Sequence, residues 1–459
     1  MISRRRFVQA SFATTLVTAL PPFVRAQGLV TRPSWDVFKN GPNFQSFVNA
    51  IATMRANTNP NDVNSWYYWA NIHQNYCTHG VPYFLVWHRG YVSLFEKQLR
   101  LISGNNSLQL PYWDYYRNPN MPVEFTDGRY PSLNSSRPRT NTNVHNALSL
   151  DPFINRLINF PRNWPNAYEP PLESRPHNDV HNLIGGWMPT MQSPQDPIFW
   201  LHHGNIDRLW AAWVAADQGR QVPPSSDSYW QGSLNYGPSG TLTRLSVITT
   251  QAMGYTYDNL ALPNRIPPTA APARPQVRKL KAMPANVLTA NAAAVGGGDE
   301  LSLDQNSVTV EIPVAKKAQP RFKSLLASPV STPAALNSIT VVLDRLSLTE
   351  AGAKGGYFYN VYLDLPETPD SKLDGEAYLL GTLGAFEIAG KEHHANHENA
   401  SGEPIQLVFP ATDVLKHVAP GQVDKLSVSF VRVDGDNPVN GTAINVGEVR
   451  VELSNSAAQ

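Results

Sequence analysis

Cysteine is almost absent from this chain. Cys77 is the single thiol in 459 residues, so no disulfide can form within it and each domain must be held by its own core. Charge of one sign is lacking too: 37 Lys and Arg face 36 Asp and Glu, a net charge of +1, which argues against a nucleic-acid or polyanion footprint. The apolar stretch Ala10 to Leu20 is too short to cross a bilayer. With S-R-R-R-F-V-Q (Ser3 to Gln9) before it and Val24-Arg25-Ala26 after it, the segment reads as a twin-arginine (Tat) export signal cut before Gln27. The expectation is an exported, periplasmic or secreted chain with the Tat machinery as a partner. No membrane and no nucleic-acid partner is expected, and substrate has to sit in a pocket.

The chain does have histidine in a pattern. In P-H-N-D-V-H-N, His177 and His181 are four apart, so on a helix both imidazoles leave from one face and can grip one metal ion. His202 and His203 follow, at the start of a predicted helix over Gly204 to Val214 whose Ile206, Leu209, Trp210 and Trp213 fall at helical spacing. Imidazoles without a nearby cysteine or carboxylate suit copper, zinc, iron or nickel, and one such set leaves the metal open. A second set, His73, His79 and His88 in A-N-I-H-Q-N-Y-C-T-H-G-V-P-Y-F-L-V-W-H, makes the expected site dinuclear. His88 lies on a predicted helix from Trp87 to Ile102, and Trp35 to Met54 carries the apolar stripe of another. A dinuclear zinc or iron hydrolase would normally add bridging carboxylates, and none stands at ligand spacing. His145 has no such partner and reads as a surface or capping residue.

Both histidine segments resemble the copper-binding regions of the tyrosinase and polyphenol oxidase family, the type-3 copper proteins, over roughly Arg32 to Asp258. The most specific stretch is D-P-I-F-W-L-H-H-G-N-I-D, which fits the family's D-P-x-F-hydrophobic-x-x-H-x-x-x-D signature; P-Y-W-D before Tyr115 is a further hallmark. The resemblance implies one copper on His73, His79 and His88 and a second on His177, His181 and His203, with His202 a neighbour of the last ligand. It implies a mainly α-helical catalytic domain whose four-helix bundle holds two copper ions, dioxygen as co-substrate, and small phenolic substrates, o-diphenols being oxidised to o-quinones. It pairs Arg32 with Tyr255-Thr256-Tyr257-Asp258 in closing that domain. Phe199 and Trp200 are expected to pack the copper helices. Asp207 is expected among the groups that anchor the distal ring nitrogens.

Further residues take roles from the same resemblance. Cys77, two before His79, matches a cysteine that several family members join to the ring carbon of this histidine by a thioether; otherwise it is a small buried thiol. Glu173 and Asn178 match a glutamate upstream of the first ligand of the second set and an asparagine just after it, which hold the water that takes a phenol's proton. Glu173 otherwise reads as a helix-capping carboxylate. Thr190, thirteen residues before His203, stands where plant catechol oxidases tend to carry a bulky Phe, and its small side chain leaves room for ortho-hydroxylation of monophenols. A catechol oxidase or an o-aminophenol oxidase would differ only in such pocket detail. A haemocyanin-type dioxygen carrier would need a pocket closed to phenols.

After Asp258 the composition shifts. Residues 261–300 are rich in Pro, Ala and Gly and read as an extended, protease-sensitive linker. From Leu301 short alternating runs such as S-V-T-V-E-I-P-V, Y-F-Y-N-V-Y-L-D-L and K-L-S-V-S-F-V-R-V indicate an antiparallel β-sandwich or barrel. Tyr357 to Pro366 and L-G-T-L-G-A-F-E-I resemble the C-terminal domain of plant polyphenol oxidases, which lies over the copper pocket and keeps the enzyme latent. H-H-A-N-H (His393, His394, His397) reads as a solvated loop between strands. The expected organisation is α+β and multidomain: signal 1–26, copper domain 27–260, linker 261–300, β-rich shielding domain 301–455.

Overall fold

The computed structural model describes residues 29–137, 141–266, 273–283, 286–289, 292–327, 338–368, 375–397, 403–418 and 423–454; the expected export signal lies outside them. By its contacts the chain divides into two compact units. One is drawn from Met1–Ser135, Leu150–Leu172 and Pro194–Asn264, the other from Ser136–Ser149, Glu173–Ser193 and Arg265–Gln459. The first is a helical core and the second is sheet-rich, the α+β multidomain class that the sequence pattern implied. Among the described residues no helix is long and apolar enough to cross a membrane.

In the first unit the core is built from α1 (Phe44–Ala56), α2 (Trp66–Tyr76), α3 (Phe84–Ser103) and α5 (Ile198–Ala215); α4 (Asp179–Ile184) belongs to the second. Gly41-Pro42 breaks the expected Trp35–Met54 helix into a turn at Trp35–Phe38 followed by α1. The Trp35 ring is packed by Phe38, Phe44, Phe47 and Phe125. Ser65 caps α2 by accepting from the Tyr67 amide at 3.2 Å. The start of α3 is held by the buried Glu169 carboxylate, which accepts from the Leu85 amide at 3.0 Å. Gly104, at φ 62°, ends it. Helix α5 begins six residues before the expected Gly204, because Asp196 accepts from the Ile198 amide at 3.2 Å and Pro197 stands where no amide is needed. His202 and His203 therefore sit within the helix rather than at its start.

A buried charge cluster locks this unit. Besides the hairpin of β2 (Ser233–Asn235) and β3 (Thr241–Thr243), strands β1 (Val30–Arg32) and β4 (Tyr255–Tyr257) pair in parallel and bring Arg32 over the Tyr255 ring at 3.6 Å. Arg32 also bonds Glu96 at 2.7 Å. Asp207 accepts from Arg89 at 2.6 Å and from the Tyr255 and Tyr257 hydroxyls at 2.5 and 2.7 Å. The Arg32 pairing with the tyrosine motif is thus present, but the Asp207 expectation is corrected: this carboxylate closes the unit rather than anchoring a histidine ring. Burial pushes its carboxyl up, yet Arg89 and Arg32, with both hydroxyls, outweigh burial and hold it below the usual carboxylate range.

The second unit is a pair of sheets over one apolar core. One sheet runs β13 (Leu407–Pro410), β10 (Ser338–Leu348), β15 (Ile444–Ser454), β8 (Ala292–Leu303), β6 (Lys281–Met283), with β7 (Asn286–Thr289) also on β8. The other runs β12 (Leu379–Gly384), β11 (Tyr357–Leu363), β14 (Lys425–Asp434), β9 (Val308–Pro313), β5 (Val277–Arg278). Val341, Leu343, Val449 and Val451 from one meet Val310, Ile312, Tyr359, Val361, Val428 and Phe430 from the other. All pairings are antiparallel except β5 with β9. Two expectations are corrected here. The described residues within 277–300, a stretch read as linker, carry β5 to β7 and most of β8, and Gly296 to Gly298 are close-packed positions: a Cβ on Gly296 would lie 2.0 Å from the Pro313 carbonyl oxygen. Beyond helix α6 (Gln319–Ala327), the stretch H-H-A-N-H closes a helix, α7 (Ala385–His397), rather than forming a loop.

Candidate metal site

The first histidine set lies wholly within the first unit. His73 comes from the last turn of α2, His88 from the second turn of α3, and His79 from the connection between them. All three are buried, and each offers a ring nitrogen within 4.8 Å of the others. The Nε2 atoms of His73 and His88 are 3.4 Å apart, a separation that a shared cation would offset. His88 Nδ1 donates to the Phe84 carbonyl at 2.9 Å, which fixes the tautomer and leaves Nε2 as the ligand atom. Cys77 is buried, its sulfur 3.3 Å from His79 Nδ1.

The second set is His177, His181, His202 and His203. His177 precedes α4 on an irregular turn, Glu173–Asn178, and His181 lies on the helix; their rings are 4.6 Å apart between centroids. The kink in this stretch lies at Arg175, so the helical turn from His177 to His181 sets both rings on one face. His181 Nδ1 donates to the Met188 carbonyl at 2.6 Å, and His177 Nδ1 lies 2.7 Å from Asn178 Oδ1. Burial pushes the His177 imidazole down to about 3, outweighing its bonds to Asn178 and the Glu173 main chain, so the ring is neutral and can ligate at neutral pH. In the first unit His203 stacks on His88, 4.6 Å between centroids and 19° between planes. Phe199 packs on His203 and His73 at 4.1 and 5.1 Å, and Trp200 stacks on Phe95. Both aromatic residues are packing groups, as expected.

Glu173 is buried at the start of the turn that carries His177. Thr190 lies on a local turn, its Oγ1 donating to the Trp187 carbonyl at 2.8 Å. His145 lies on a short turn, His145–Ala147, and among the described residues joins neither histidine cluster. One residue that sequence reading missed stands out: Phe386, at the start of α7, lies face to face with His181 at 4.2 Å and 16°, and 5.4 Å from His177. Its segment, L-G-T-L-G-A-F-E-I, carried only a general likeness to plant C-terminal domains.

All-imidazole donors in two buried groups, with orienting carbonyls behind two of the rings, fit copper well. A family model, the common central domain of tyrosinase, matches residues 63–151 and 133–216. Over these residues, about a third of its length, the chain is similar to the tyrosinase family. Its two histidine clusters can hold a dinuclear copper site. A tyrosinase from Hahella sp. (strain CCB-MM4) is 32% identical over 269 residues, 50% of this chain and 55% of that protein, so the match spans about half that relative's length. A chloroplastic polyphenol oxidase from Malus domestica is 24% identical over 422 residues, 81% of this chain and 66% of that one. A G-type hemocyanin of Enteroctopus dofleini is 32% identical over 173 residues, 32% of this chain and 6% of that protein. In fold the chain is similar to a latent apple tyrosinase, with a TM-score of 0.53 at 17% identity, over 93% of this chain and 98% of that one.

Proposed function

We propose that this chain is a polyphenol oxidase that oxidises o-diphenols to o-quinones with dioxygen and hydroxylates monophenols at the ortho carbon. The observation that carries the reading is the pair of buried all-histidine groups within a tyrosinase-family domain. Two copper ions, when bound, supply the two-electron exchange with dioxygen. The chain's own residues position and protect that chemistry. His73, His79 and His88 hold one ion and His177, His181 and His203 the other, and the bonds from His88 and His181 to main-chain carbonyls keep each Nε2 turned to its ion. Phe199 holds the His73 and His203 rings by packing. Asn178, with Glu173, holds the water that takes a phenol's proton. Thr190 leaves space for a phenol ring. A thioether from Cys77 to the His79 ring, supported by the 3.3 Å approach, fixes that ligand's orientation.

The same reading makes the full chain latent. Phe386 stacks on His181 where an aromatic substrate would stack, and the apple protein similar in fold is described as latent. Residues 1–26 act as a Tat export signal, so fractionation should place the chain outside the cytoplasm. A dioxygen carrier is the second reading, favoured by the hemocyanin match and by the covered His181 ring.

The test is oxygen uptake by copper-loaded protein with a monophenol and with its catechol, for the natural chain and for Phe386→Ala. Two coppers per chain and phenol turnover in either form support the oxidase. Two coppers without turnover in both forms hand the site to the dioxygen carrier. Turnover of catechol alone removes the water assigned to Glu173 and Asn178.

A further inference from the structure

Asn182 follows His181 on α4, and its carboxamide and main-chain carbonyl are taken by the chain that carries Phe386 and by the loop before β11. Its Oδ1 accepts from the Phe386 amide at 2.8 Å and its Nδ2 donates to Glu387 at 2.9 Å. Its main-chain carbonyl accepts from the Gly356 amide at 2.7 Å. Its carboxamide lies flat on Gly384, where a Cβ would come within 2.4 Å of Cγ and Nδ2. The Glu387 oxygen that accepts from Asn182 also accepts from the Gly384 amide at 2.9 Å. A first-turn carboxylate bonded back to the residue before the helix fixes where α7 begins, and Phe386 lies inside that first turn. Glu387 is partly buried.

We infer that Asn182, Gly384 and Glu387 form a latch that sets Phe386 on His181. The inference rests on the proposed latency. One amide beside a ligand histidine reads the position of α7 through two side-chain bonds and a surface that only glycine fits. Opening would break both bonds and release Phe386 with the first turn of α7. Asn182 and Glu387 are positioning residues, since they act through Phe386.

The experiment compares Glu387→Ala, Glu387→Gln, Gly384→Ala and Phe386→Ala in the full, copper-loaded chain by catechol-dependent oxygen uptake. Hydrogen exchange of the 384–390 peptide is followed on copper-free protein. Glu387→Ala and Gly384→Ala should raise uptake roughly five- to thirtyfold, the effect of losing one or two part-buried bonds, and should speed exchange at 384–390 while leaving β10 and β15 protected. Glu387→Gln, which keeps the accepting oxygen, should stay closer to the natural chain. If Phe386→Ala raises uptake while Glu387→Ala and Gly384→Ala change neither uptake nor exchange, the latch is wrong and latency stands. If Phe386→Ala raises nothing, latency fails and the latch with it. Should Glu387→Ala lose protection in β10 and β15 as well, it is unfolded and Gly384→Ala decides.

Discussion

Asp207 shows how one side chain can serve a site without touching it. It receives Arg89, Tyr255 and Tyr257 while buried, and thereby ties α3, α5 and β4 together beside His203, one helical turn away. Replacing it with Asn would leave two guanidinium groups short of their counter-charge, and we expect Asp207→Asn to cost about 3–5 kcal/mol, read from urea unfolding of the copper-free chain. The sign with pH follows from its lowered folded pKa. The stability it contributes is full above the ordinary carboxylate value of about 3.9 and is lost as pH falls through the lower folded value. Unfolding midpoints of the natural chain should therefore drop on acidification more steeply than those of Asp207→Asn, and parallel curves would rule this out. For Cys77, a proteolytic peptide holding both Cys77 and His79 should weigh two hydrogens less than its sequence and resist alkylation; full-mass, alkylated peptide would remove the thioether.

At the level of elements, composition misled where packing decided. The glycines of β8 read as linker because Gly is the commonest flexible residue, yet each is small because something lies on it. Pro313 approaches Gly296, Arg450 approaches Gly297, and Leu280 approaches Gly298. Gly296→Val should destabilise the second unit by about 1–3 kcal/mol through overpacking. Thermal unfolding would check it, and an unchanged midpoint would return the stretch to a linker. Helix α7 is the converse case. H-H-A-N-H reads as polar chain between strands, but it ends a helix whose fixed start comes from Glu387 and Asn182, which lie 205 residues apart.

At the level of the whole molecule, the two units interleave along the chain. Glu173–Ser193, which carries His177, His181, Asn178 and Thr190, clusters with Arg265–Gln459 rather than with Pro194–Asn264. A cut in the connection after Asp258 therefore leaves those contacts in place. Limited proteolysis should nick within 259–266, which is extended and outside the strands, and should spare β8. Nicking alone should leave catechol turnover low until the C-terminal fragment is displaced, as measured by oxygen uptake before and after size-exclusion in mild denaturant. Full activity on nicking would mean that the ties around Asn182 do not hold Phe386.

Histidine spacing, the D-P-x-F stretch and the alternating strands were readable from sequence because each is set within a few residues, by helical pitch, a capping pair or strand pleat. They determined the class of fold, the first histidine group and the second group's membership. Only the tertiary structure decided that Asp207 serves the arginine and tyrosine cluster, that the glycine run is a packed strand, and that Phe386 stands on His181. Each depends on partners scores or hundreds of residues away, and local spacing holds no record of which surfaces will meet.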